Sequence, residues 1–213
     1  MTDEKRKFLI SLSYPAGFLA LLWIIQITEV VFGISFARLG VLPRHISGLI
    51  GIITYPLIHA SFGHLISNSI PLLFLGVGLF YFYPKSAAKV FGLVYFLPGI
   101  LIWLFARTAY HIGASGLVYG LVTFFFFSGL IRRDNRSIAL ALVVTFLYGS
   151  LVWGVLPIYK TISWEGHLFG SLTGILCAFI FRKQDPAKKY DWEDEPDDED
   201  PGKLEISYDD RDR

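Results

Sequence analysis

One serine and three histidines interrupt apolar stretches of this chain at positions where their chemistry could be used together. Ser115 lies in "YHIGASGLVYG" (110–120), His59, His64 and Asn68 lie in "HASFGHLISNS" (59–69), and His167 lies in "SWEGHLFGSLTG" (163–174). A serine hydroxyl becomes a nucleophile when an adjacent base takes its proton, and imidazole is the commonest such base. Side-chain N–H groups of asparagine or histidine can stabilise the oxyanion that such an attack creates. His64 and Asn68 are four residues apart, so on a helix they share a face. The bland reading of Ser115 is that a small residue between glycine and alanine lets two helices approach, and GASG by itself does not separate the two readings. No cofactor is expected. The three histidines lack a nearby carboxylate or thiolate at ligand spacing, so no metal site is expected either.

The elements that must position these groups are membrane helices. Of 213 residues, 54% are hydrophobic and 17% charged, with mean hydropathy +0.52, more apolar mass than a soluble domain of this size carries. Thirteen of the 18 acidic residues lie from Asp185 onward, in a stretch that reads as a disordered acidic cytosolic tail over 184–213. Residues 1–13 read as a basic cytosolic lead into a retained first span, without a cleavage site. The single cysteine, Cys177, excludes an intrachain disulfide and a cysteine-based metal cluster. Nucleic acid is not expected as a partner; the lipid bilayer is.

A span needs about 20 apolar residues, and six segments qualify approximately: 14–36, 62–83, 87–106, 112–131, 138–157 and 163–181. The segment 46–58, with two glycines and a proline, suits a membrane-associated loop better than a seventh span. Six spans place twelve lysines and arginines near one membrane face and four (Arg38, Arg44, Arg107, Lys160) near the other. That asymmetry puts both termini in the cytosol; a seventh span would move Arg132, Arg133 and Arg136 outside. In this topology the second, fourth and sixth spans all run from outside to inside. His59 then stands at the outer mouth, and His64, Asn68, Ser115 and His167 lie roughly 3–10 Å below the outer surface at about 1.5 Å per residue. Ionisable groups at such a depth point to function.

Small residues suggest how the spans meet. Gly116 and Gly120 line the fourth span, and Gly166, Gly170 and Gly174 the sixth; such stripes let backbones approach closely. Packing them together brings the Ser115 hydroxyl to the His167 imidazole. Glu165 points about 160° around the helix from His167 and Glu29 lies on the first span, so a serine–histidine dyad without a carboxylate is expected. His64, Asn68 and the Ser115 backbone N–H, at the positive end of a helix, are candidate oxyanion donors.

With these residues the sequence resembles the rhomboid family of intramembrane serine proteases. The family's H-x4-H-x3-N element matches His59, His64 and Asn68, its G-x-S-G element matches Gly113, Ser115 and Gly116, and His167 with its small-residue stripe matches the sixth span. The likeness covers roughly 14–181. It implies an all-α, polytopic, six-transmembrane-helix bundle (14–183) in which 37–58 is an extracytoplasmic loop lying partly in the membrane. It implies a serine-type endopeptidase that cuts membrane proteins near the outer end of a helix-destabilised transmembrane segment, in a bacterial inner membrane. It further implies that Tyr119 stacks beside His167 and that His59 supports the oxyanion site. One departure is the absence of the Trp-Arg pair that some members carry in the first loop; "FARLGVLPRHISG" stands in its place and leaves the loop's bracing unassigned.

Other readings stand beside this one. Asn68 can be interhelical glue, His59 can simply bond backbone, and Tyr119 and Trp153 can be packing. Trp23, Trp103 and Trp164 read as interfacial or lipid-facing aromatics. Glu29 is expected to pair with Arg38, Arg44 or His45. As whole functions, the rivals are an inactive rhomboid-like scaffold and a small transporter. The scaffold should have lost the serine or histidine, whereas the transporter should show internal repeats and polar groups at mid-membrane.

Overall fold

The computed structural model describes residues 2–147, 153–158 and 163–186. Helix α1 (Asp3–Phe32) starts under a Thr2 cap with Asp3 and Glu4 in its first turn, where acidic groups suit the helix dipole. It ends at Gly33, which takes φ 62 and returns its amide to the Glu29 and Val30 carbonyls. That left-handed cap stops the helix short of the expected 14–36 span, and α1 begins eleven residues before it. Pro15 of α1 seats on Gly76 of α3 (Phe62–Phe82), where an added Cβ would stand 2.6 Å from the proline ring.

Between α1 and α3 the chain forms short turns at Ala37–Leu39, Ile46–Gly48 and Tyr55–Leu57 around the four-residue α2 (Gly51–Thr54). None is long enough to span. The loop is braced by Arg44, whose amide donates to the Trp103 carbonyl at 3.0 Å and whose guanidinium donates to the Ala106 carbonyl at 2.8 Å and Thr108 Oγ1 at 3.2 Å. Trp103 Nε1 donates to the His45 carbonyl at 2.9 Å. Trp103 is therefore a loop brace and not only a lipid-facing ring; likewise Trp23 Nε1 donates to Ser69 Oγ at 3.1 Å. Glu29 corrects another expectation. Its Oε1 accepts the Phe36 amide at 2.6 Å and, among the described residues, its Oε2 has no hydrogen-bond partner. It ties down the turn after α1, while the Arg44 guanidinium bonds the Ala106 carbonyl and Thr108.

Helices α4 (Ala87–Phe105), α5 (Ser115–Arg132), α6 (Asn135–Leu147) and α7 (Trp164–Ile180) complete the bundle. Helix α5 is central: it packs most extensively on α7 and also touches α3, α4 and α6. The core joins Leu65, Leu72, Leu75 and Leu79 of α3 to Leu117, Leu121, Phe124 and Phe125 of α5, with Val94 and Cys177 beside them. Outward faces carry Ile24, Val31, Phe74 and Phe105, all exposed, an apolar exterior that lipid can cover.

Among the described residues α1, α3, α4 and α5 are long and apolar enough to cross a membrane. Helix α7, with 17 residues, falls short of the roughly 20 residues of a full span, and α6 is described over 13 residues, as far as Leu147. Four of the six expected spans are thus matched by helices of spanning length among the described residues. The expected span 138–157 includes 148–152, which lie outside the described residues, as do Lys160 and the tail from 187. Asp185, which composition groups with that tail, is buried: it accepts from the Lys85 and Ser86 amides at 3.0 and 3.1 Å and from Ser86 Oγ at 2.7 Å.

Candidate active site

Ser115 is the first residue of α5, and one turn later Tyr119 follows on the same helix. His167 sits in the first turn of α7, whose N-cap is Ser163. The two helices meet through their glycines. A Cβ added at Gly170 would overlap the Gly116 carbonyl, and one added at Gly174 would overlap the Gly120 carbonyl. At Gly116 it would stand 3.2 Å from the Gly166 carbonyl oxygen, and at Gly120 3.0 Å from that of Gly170. Thr123 Oγ1 donates across the same seam to the Ser171 carbonyl at 2.9 Å. Backbone lies on backbone, which larger side chains would prevent.

This approach brings His167 Nε2 to 2.7 Å from Ser115 Oγ, while Nδ1 lies 2.8 Å from the Gly154 carbonyl oxygen. A carbonyl can only accept, so Nδ1 carries the proton and Nε2 presents its lone pair to the serine hydroxyl. That is the tautomer a general base requires. Tyr119 stacks on the imidazole at a centroid distance of 4.1 Å and 10° between planes. Gly154 lies against both rings: a Cβ there would strike the Tyr119 hydroxyl and stand 3.0 Å from His167 Nδ1. Glu165, on the far side of α7, pairs with Arg107 at 3.5 Å.

The remaining groups surround the start of α5. Asn68 is buried, and among the described residues its Nδ2 has no hydrogen-bond partner, so this donor is available to a bound group. His59 Nε2 accepts the Ala114 amide at 3.3 Å, and the His59 and His64 rings meet edge to face at 5.0 Å. Burial, with His64 alongside, pushes His59 down to about 3, so it remains a neutral acceptor. Gly113 takes φ 109 and an added Cβ would stand 2.5 Å from the His64 ring; only glycine fits both the torsion and the contact. Its amide donates to the Tyr55 carbonyl at 2.8 Å. Tyr55 and Gly154 are the contributors that the spacing of polar residues did not reveal. Both act through backbone carbonyls, and the aromatic at 55 and the glycine at 154 are their faint traces.

The family model for the Rhomboid domain matches residues 46–184, which contain every group described above. The chain belongs to the rhomboid family. An uncharacterized protein of Mycobacterium tuberculosis is 32% identical over 84% of this chain and 78% of its own length. An uncharacterized protein of Mycobacterium leprae is 31% identical over 84% and 74%. The RHOMBOID-like protein 2 of Arabidopsis thaliana is 29% identical over 64% and 42%. The rhomboid assignment agrees with the all-helical architecture and the apolar exterior: this is a helical membrane protein.

Proposed function

We propose that this rhomboid is an intramembrane serine endopeptidase. The observation that supports it best is the Ser115–His167 hydrogen bond, with the imidazole held in the base tautomer by the Gly154 carbonyl. In the proposed reaction His167 takes the hydroxyl proton as Ser115 Oγ attacks a peptide carbonyl. Asn68 Nδ2, His64 and the Ser115 amide receive the negative charge on the carbonyl oxygen. His167 returns the proton to the leaving amine, leaving an acyl-serine, and a water activated by the same imidazole releases the second product. The carboxylate of a three-residue relay is replaced by a backbone carbonyl, which orients the ring without a compensating charge.

The proposed topology has six spans, α6 and α7 contributing to the last two, and both termini on the side of the basic cluster, the cytosol of a bacterial cell. Ser115 then lies under the outer surface, and the substrates are membrane proteins cut near the outer end of a span. Helical segments hide their carbonyls, so a glycine or proline near the cut should favour cleavage. A serine-directed fluorophosphonate should label the wild-type protein, and Ser115→Ala should neither be labelled nor cleave a model transmembrane substrate. Substantial cleavage by Ser115→Ala would sink the reading. A wild-type protein that binds membrane segments but is neither labelled nor cuts would instead be the inactive scaffold.

A further inference from the structure

A second serine–histidine pair lies beside the first. His111 stands four residues before Ser115 and Ser163 four residues before His167. Their side chains meet at 2.6 Å, His111 Nδ1 to Ser163 Oγ, so two cross-links tie the same two segments at the same offset. His111 Nε2 lies 3.1 Å from the Arg107 carbonyl oxygen, which can only accept. Nε2 therefore carries the proton, Nδ1 offers a lone pair, and the Ser163 hydroxyl donates to it. The serine's own lone pairs then face α7, where Oγ accepts the Gly166 amide at 3.4 Å and the Ser163 carbonyl accepts the His167 amide at 3.3 Å. His111 is buried, and its backbone exchanges two hydrogen bonds with Val41 of the first loop, at 2.9 and 3.0 Å. Neither residue reaches the Ser115 hydroxyl.

We propose that His111 is a positioning residue: through Ser163 it pins the first turn of α7 in the register that brings His167 to Ser115, and it ties that register to the first loop. This rests on the reading of Ser115 and His167 as the catalytic pair. Each residue of helical slip moves a side chain about 1.5 Å along the axis. A misplacement of about 1 Å can cost on the order of 10² in rate. The pin thus acts on the chemical step, through the position of His167, and neither of its side chains bonds the Ser115 hydroxyl.

The test uses the full-length protein in detergent with His111→Phe, His111→Asn, Ser163→Ala and the double variant. Two readouts are taken: kcat and KM on a model transmembrane substrate, and amide hydrogen exchange across 163–170. Phe at 111, or Ala at 163, should lower kcat about tenfold or more at nearly unchanged KM, in keeping with a displaced base. Exchange should quicken in the first turn of α7 and not in α1 or α3. The double variant should lose no more than the worse single, since each removes the same bond. Asn at 111 keeps an acceptor near the place of Nδ1 and should recover most of the activity. Should His111→Phe fold poorly, Ser163→Ala removes the same bond at a half-buried site. Wild-type kcat with unaltered exchange in Ser163→Ala, or losses that multiply in the double variant, would overturn the pin. If exchange quickens as expected yet Ser115→Ala still cleaves, the pin stands and the catalytic reading falls. If Ser115→Ala is dead while Ser163→Ala is fully active, the catalytic pair stands and the pin falls.

Discussion

Ser115 is half-buried while the imidazole it bonds is buried, so the serine is the more accessible member of the proposed catalytic pair. Asn68 supplies the most direct residue-scale prediction, because its buried Nδ2 has no partner among the described residues. Asn68→Ala should cut kcat by about 10²–10³ while fluorophosphonate still labels Ser115, only more slowly. Turnover at the wild-type rate would make Asn68 interhelical glue. His59 carries a pH prediction. It titrates near 3 when folded and near 6.5 otherwise, so between these values the unfolded chain binds the extra proton and stability falls as pH falls. The thermal midpoint in detergent should therefore drop as pH goes from about 7.5 to 5. His59→Gln, which keeps an acceptor towards the Ala114 amide without titrating, should flatten that slope. His111, also pushed down by burial, keeps a part of the slope. Equal slopes in both proteins would mean that His59 does not cause the pH dependence.

The seam between α5 and α7 carries the geometry of the pair, and its glycines are unlike Gly92 of α4. At Gly170 and Gly174 a side chain would run into the backbone of α5, whereas at Gly92 on α4 an added Cβ meets nothing within 4 Å. Gly170→Val or Gly174→Val should push α7 away and reduce cleavage by roughly 10² or more through misplacement of His167. Gly92→Ala should leave activity unchanged and be neutral to stabilising by about 0.4–1 kcal/mol, through the lower entropy of the unfolded chain. Activity assays paired with thermal melts separate the two outcomes. Wild-type cleavage by both valine variants would contradict the close approach.

Across the whole molecule, the two ends of the bundle are fastened differently. At the end opposite Ser115, Asp185 receives three donors from the start of α4, and Arg132 of α5 donates to the Phe181 and Asp185 carbonyls while lying 4.6 Å over the Tyr83 ring. Removal of residues 187–213 should leave cleavage in detergent near the wild-type level, because this anchor remains. Truncation at 184, or Asp185→Ala, should lower the thermal midpoint, since the orphaned donors at Lys85 and Ser86 cost about 1–3 kcal/mol. Melting curves of the two truncations decide this: equal midpoints would show that Asp185 contributes nothing.

Much of this was legible in the chain because it depends on local rules. Apolar runs of spanning length mark helices α3 and α4 within a residue of the expected ends, glycines four apart mark a seam, and residue type names a candidate nucleophile, base and donors. Gly33 shows the limit even locally, since a left-handed cap ended α1 where hydropathy ran on. What only the tertiary structure decided is who partners whom across segments. The carbonyl of Gly154 orients His167, that of Tyr55 holds Gly113, Glu29 closes a turn instead of meeting an arginine, and Asp185 docks on α4. Every residue has a carbonyl and every residue but proline an amide, so no letter marks the one that will be used. The choice is made when packed helices leave particular backbone groups facing a buried polar side chain, and the loss of water then obliges them to pair.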